Sequence, residues 1–158
     1  MSIEKVKEYF RPYGMEAKII ELESSSATVE LAAQALDVIP ARIAKTLSFS
    51  EGEGCLLLVT AGDAKIDNKS YKARFGAKPR MLDPQTVASL VGHKVGGVCP
   101  FAIPKDIPVY LDESLRRFET VFPACGSGNS AIELTCEELS QYSGAQDWVD
   151  VCKGWRAE

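Results

Sequence analysis

The sequence predicts an α+β fold: one domain over residues 1–158, built on a mixed, largely antiparallel β-sheet or partial barrel with short helices around it. Three observations carry that expectation. "ARIAKTLSF" and "CLLLVTA" are strand-like segments joined by the glycine-containing "SEGEG", the pattern of a hairpin. Further short strand-like runs, "PVYLD", "TVFPA", "SAIEL" and "WVDV", follow at irregular spacing. Capped helical segments lie between them without the regular alternation of a parallel βαβ array.

The elements follow in chain order. "SIEKVKEYF" places Ile3, Val6 and Phe10 on one helical face, with Ser2 as the expected N-cap. "TVELAAQAL" reads as a second helix, capped by Thr28 and stopped before Pro40. From Ile43 the pattern changes to period two, with Ile43, Lys45, Leu47 and Phe49 on one side and Ala44, Thr46 and Ser48 on the other. "CLLLVTA" is the buried partner strand. Asp67 is placed to cap a helix carrying Tyr71 and Phe75 and ending at Gly76. In "DPQTVASLVG", Asp83 caps, Pro84 takes the first helical position and Gly92 terminates. "PVYLD" is a strand whose Asp112 caps a short helix reaching Phe118. "TVFPA" and "SAIEL" are strands flanking the "CGSGN" turn. "TCEELSQY" opens with a capping box formed by Thr135 and Glu138, and "WVDV" is the last strand.

Composition narrows the function. With 46% hydrophobic and 25% charged residues the chain is ordinary globular protein. The longest apolar run, "CLLLV", is far too short to cross a bilayer, and the charged N-terminus does not read as a signal peptide. Five scattered cysteines without a CxxC pair suggest reduced thiols and a cytoplasmic protein. His93 is the one histidine, which excludes metal sites built on several histidines and leaves any triad dependent on it alone. No phosphate-binding P-loop or dinucleotide fingerprint is present, and no cofactor is expected. The net charge of −4 is uneven: Ala64 to Arg80 holds six basic residues against one acid, a local +5 on a body of −9. Such a segment is either a solvated helix face or a phosphate-facing patch.

Two features suggest chemistry. Lys45 falls where the alternation calls for an apolar side chain, so it either snorkels at the strand end or projects its ammonium into a cavity. There a desolvated ammonium would attract a phosphate or polarised carbonyl. "KVGGVCPFAIP", residues 94–104, sets Gly96-Gly97 before a stretch stiffened by Pro100 and Pro104. Adjacent glycines admit close approach of another backbone or a ligand. "ACGSGNS" is a second loop able to present N–H groups to an anion.

In order along the chain, "AKTLSF", "LLLVTAGDAKID", "GHKVGGVCPF" and "VFPACGSGNSAIEL" resemble the YbaK/ProX family of aminoacyl-tRNA deacylases, a domain also found inserted in bacterial prolyl-tRNA synthetases. The "KTL" sequence is closer to the free-standing branch. The resemblance implies an editing hydrolase that cleaves the ester between a wrongly attached small amino acid and the 3′ adenosine of a tRNA, such as Cys-tRNA(Pro). It places the family's essential lysine at Lys45, with Gly96, Gly97 and Gly126 completing the catalytic set. It implies a substrate pocket formed by Leu47, Asp63, Val98, Cys99, Pro100, Phe101, Cys125 and Ser127. Lys65, Lys69 and Lys72 become candidate tRNA contacts. Implied partners are the tRNA acceptor end and prolyl-tRNA synthetase, with neither membrane nor DNA. Two departures stand out: Cys99 where the family often has Ser, and Ala102 in place of the usual final Gly. An activated ester needs no protein triad, because water positioned beside backbone oxyanion donors suffices. The alternatives are a binding module for tRNA or aminoacyl-adenosine without hydrolysis, and a thiol-dependent hydrolase using Cys99 or Cys125.

Overall fold

The computed structural model describes residues 2–156. Helix α1 (Ser2–Phe10) leads into 3₁₀ turns and strand β1 (Ile20–Glu21), followed by α2 (Val29–Leu36). The centre is the antiparallel hairpin of β2 (Ile43–Glu51) and β3 (Gly54–Ala61), in register from Ala44 opposite Ala61 to Glu51 opposite Gly54. After it come β4 (Lys65–Ile66), α3 (Asn68–Phe75) and α4 (Pro84–Val91), then β5 (Val109–Asp112) and β6 (Thr120–Pro123). The chain closes with β7 (Ser130–Ala131), β8 (Leu134–Thr135), α5 (Cys136–Ser143), β9 (Asp147–Val149) and β10 (Cys152–Lys153).

Six strands form a curled mixed sheet in the order β8-β6-β2-β3-β5-β9, and β1-β7 and β4-β10 make two small antiparallel ribbons. Alongside the hairpin, β6 pairs parallel to β2, and β5 parallel to β3. Strand β3 is the most enclosed: Cys55 to Ala61 are all buried. A strand covered on both faces needs a continuous apolar run, and "CLLLV" supplies it. Behind the sheet Phe10 packs against Phe101 and Tyr142, at ring separations of 4.9 and 5.4 Å. Elsewhere Phe49, Tyr71, Phe75 and Tyr110 stack in a chain.

The local signals at helix ends act as expected in most places. Thr28 accepts from the Leu31 N–H, Asp83 from the Thr86 N–H, and Thr135 and Glu138 form the reciprocal capping box. Four local expectations change. Ser2 is the first helical residue of α1, and its hydroxyl donates to the Gly92 carbonyl at 3.0 Å. The Asp67 carboxylate accepts from the Ser70 hydroxyl and makes no bond to the backbone of α3. Asp112 caps a short 3₁₀ helix as expected, accepting from the Ser114 N–H, but "WVDV" is not the last strand, since β10 follows it and pairs with β4. Finally, "SAIEL" is two short strands, since the chain changes partners from β1 to β6 around Ile132.

Candidate functional site

Beside β2 lies a cavity of about 250 Å³. Its origin is a gap in the sheet. Strand β6 pairs with β2 only at Ile43 and Ala44. Further along the same strand, Ser48 accepts from the Leu82 N–H and the Ser50 N–H donates to Arg80. Between those two attachments, among the described residues, no strand covers that edge of β2. The opening is closed instead by the segment before α2, by Val95, Gly96 and Val98, and by Ala124 with Ser130 and Ala131. Because the cavity sits on the strand's edge, residues of both alternating sets border it, including Lys45 and Leu47 from one and Thr46 and Ser48 from the other.

Lys45 is half-buried. Its Nζ donates to the Ala64 carbonyl at 2.7 Å and lies 3.5 Å from that of Gly62, so the turn after β3 holds the ammonium by its backbone oxygens. Burial lowers the Lys45 pKa from its ordinary value, opposed by the nearby Cys152 and Asp63. An ammonium has three donors, and the two carbonyls leave one for a ligand. The turn is itself tightly held. A Cβ at Gly62 would lie 2.1 Å from the Pro40 carbonyl oxygen, so this position admits no side chain. Next to it, Asp63 makes a two-pronged ion pair with Arg117, which keeps its carboxyl below the usual range. Asp63 therefore braces the turn that holds the Lys45 ammonium and does not border the cavity.

The two glycine loops meet backbone to backbone. A Cβ on Gly97 would come within 2.6 Å of the Ser127 nitrogen and 2.7 Å of the Gly126 carbonyl carbon. Gly126 in turn adopts φ +91° and sits against Ser2, where a Cβ would lie 2.8 Å from that residue's carbonyl carbon. Gly96, at φ +97°, faces the cavity together with Val98, whereas Gly97, Gly126 and Ser127 border a separate cleft on the wall's outer side. The rigid, glycine-rich backbone of residues 94–104 is thus a thin wall whose stiffness comes from this stacking.

Cys99, Phe101 and Cys125, expected around the substrate, point the other way. All three are completely buried and none borders the cavity. Phe101 fills the core against Phe10, and that burial turns the loop's apolar side chains inward. Pro100 is also buried behind the wall. His93 belongs to the same region: its Nε2–H donates to the Phe101 carbonyl at 2.8 Å and lies 3.6 Å from the Cys99 sulfur. Burial lowers the His93 pKa, pushes the Cys99 thiol up to about 12 and raises that of Cys125 well above normal. Thiols in such surroundings are neutral and inert. Lys65, Lys69 and Lys72 are exposed and do not border the cavity.

Two residues of the cavity escaped the sequence reading as candidates. The Ser26 and Thr46 hydroxyls are buried without a hydrogen-bond partner, and both residues line the cavity. Buried hydroxyls normally find partners. Thr46 and Ser48 stand out in the sequence as polar positions within a largely buried strand, whereas nothing local marks Ser26. Among the described residues no cluster of three or more His, Cys, Asp or Glu could hold a metal ion, and no helix is long and apolar enough to cross a membrane.

Residues 23–142 match the family model described as "Aminoacyl-tRNA editing domain". The chain is 55% identical over 156 residues to YwhH, an uncharacterized protein of Bacillus subtilis, covering 98% of this chain and 99% of that one. It is 27% identical over 121 residues to EbsC of Enterococcus faecalis, named as a candidate Cys-tRNA(Pro)/Cys-tRNA(Cys) deacylase, covering 75% of this chain and 74% of that one. A solved structure described as a candidate trans-editing enzyme for prolyl-tRNA synthetase superposes with a TM-score of 0.86 at 30% identity, over 97% of this chain and 98% of the other.

Proposed function

The chain belongs to the aminoacyl-tRNA editing domain family, and from that premise we propose that it is a trans-acting deacylase that hydrolyses a tRNA mischarged with a small amino acid. The observation that carries the reading is the half-buried Lys45 ammonium at the rim of a small cavity beside Gly96. In this reading Lys45 uses its remaining donor to orient the terminal adenosine or its phosphate. Water attacks the ester carbonyl, the backbone N–H groups beside Gly96 stabilise the tetrahedral oxyanion, and the 3′ oxygen leaves as the ribose hydroxyl.

The cavity also favours a substrate class. The unpartnered Ser26 and Thr46 hydroxyls that line it favour a side chain with a polar atom. Cysteine has such an atom, in line with the substrates in EbsC's name. Synthetases discriminate poorly among small side chains by binding alone, which is where hydrolytic correction is needed. The proposed partners are accordingly the tRNA acceptor end and prolyl-tRNA synthetase, in the cytoplasm.

Deacylation of Cys-, Ala-, Ser- and Pro-tRNA(Pro) by wild type and Lys45→Ala tests this. The expected result is hydrolysis of one mischarged species, reduced about 100-fold or more in the variant, the scale of losing one preorganised electrostatic group. Unchanged turnover by Lys45→Ala would remove Lys45 from the mechanism. Binding of tRNA without hydrolysis of any species would favour the non-catalytic module instead.

A further inference from the structure

The outer side of the glycine wall holds a second cleft, of about 410 Å³, whose borders include Lys5, Lys94, Val95, Gly97, Ser127 and Gly128. Among the described residues, no carboxylate borders it. Lys5 and Lys94 are both exposed and, among the described residues, neither enters an ion pair, whereas Lys7 on the same helix is paired with Glu21. Lys5 borders the cleft from α1. Lys94 approaches from the start of the glycine segment.

The backbone adds donors to these two cations. Gly126 turns the chain at φ +91°. Among the described residues, the N–H groups of Ser127 and Gly128 hydrogen-bond to no protein acceptor, nor do those of Val95 and Gly96 across the wall. Successive unpaired N–H groups beside a left-handed residue make a concave anion acceptor. Such a combination on a body that is otherwise net acidic suits an occupant with negative charge. Val95 borders both this cleft and the Lys45 cavity, so the two are neighbours across a single layer of backbone.

We propose that this cleft binds a backbone phosphate of single-stranded RNA, next to the nucleotide whose aminoacyl ester enters the Lys45 cavity. The proposal rests on the deacylase reading for the identity of the RNA and adds where its 3′ strand is held. It makes Lys5 and Lys94, 89 positions apart in the chain, the cations that set the register of the acceptor end. The basic segment of α3 is then a solvated face.

The test is binding of a labelled acceptor-stem hairpin with a single-stranded CCA end, followed by anisotropy across a salt series. It compares wild type, Lys5→Glu/Lys94→Glu and Lys69→Glu/Lys72→Glu. All four lysines are exposed, and a thermal melt of each variant checks the fold. The expected result is an affinity at least tenfold weaker for Lys5→Glu/Lys94→Glu, with a log–log salt slope shallower by about 0.7 for each phosphate no longer neutralised. A hairpin trimmed of its CCA end should bind wild type and this variant alike. Wild-type affinity in Lys5→Glu/Lys94→Glu would overturn the proposal, as would weakening confined to Lys69→Glu/Lys72→Glu. Failure of the wild type to bind the hairpin at all would overturn it too. Deacylation is measured separately, so an inactive protein that still binds through Lys5 and Lys94 counts against the deacylase reading and not against this site.

Discussion

The Lys45 cavity and the core packed around residues 99–101 both hold buried polar groups, and they differ in what surrounds them. On the cavity side, the Ser26 and Thr46 hydroxyls lack partners and Lys45 keeps a donor free beside open space. On the core side, His93, Cys99 and Cys125 are enclosed by packed side chains, and His93 Nε2 is committed to the Phe101 carbonyl. Burial shifts pKa values on both sides in the direction that favours the neutral form. A shifted pKa therefore does not distinguish the two sides. What distinguishes them is room for a second molecule, so a nucleophile assigned by residue type alone would fall in the packed core.

The wall itself is the place where the comparison breaks most severely. Gly97→Ala drives a methyl into the Gly126–Ser127 backbone. Overpacking against backbone should reduce stability by about 3 kcal/mol, the upper end for such insertions, as measured by urea denaturation, with deacylation abolished as the cavity deforms. On the cavity side, Thr46→Val keeps the shape and removes the unpartnered hydroxyl. Hydrolysis of a polar substrate such as Cys-tRNA should fall about tenfold relative to Ala-tRNA, the effect of removing about one hydrogen bond, with stability unchanged or raised. Equal rates on both substrates before and after substitution would mean that the hydroxyl has no part in selection.

On the core side, Cys99→Ala should reduce stability by about 1 kcal/mol through a small cavity and leave deacylation within about twofold. A large loss of turnover at full stability would restore Cys99 to the site. The mildest change sharpens the account of the wall's own conformation. Ala102 has φ +56°, a left-handed conformation in which a Cβ is strained. Ala102→Gly should raise stability by about 0.5–1 kcal/mol after allowing for glycine's greater freedom when unfolded, read as a higher denaturation midpoint. This explains why glycine is usual at that point of the family motif and shows that the chain tolerates its departure at modest strain.

Much of this molecule is decided by short-range chemistry and is therefore legible in the sequence. The Asp83-Pro84 start and Gly92 end of α4, the Thr135–Glu138 box and the β2–β3 hairpin depend on residues within a few positions of each other. A helix cap or a turn needs nothing from further away. The anomalous Lys45 is visible for the same reason, as a break in a local alternation, and the paired glycines mark a backbone that something must approach closely. The tertiary structure decides what that something is. The approaching backbone at Gly97 comes from Gly126 and Ser127, in a different loop. Ser26 and Thr46 meet at one cavity only because β6 leaves β2 after Ala44. Cys99 and Cys125 turn inward because Phe101 and its neighbours bury their apolar surface against α1 and the sheet. Local propensity sets where a chain bends, but the facing of each loop is settled by packing between segments far apart in the sequence.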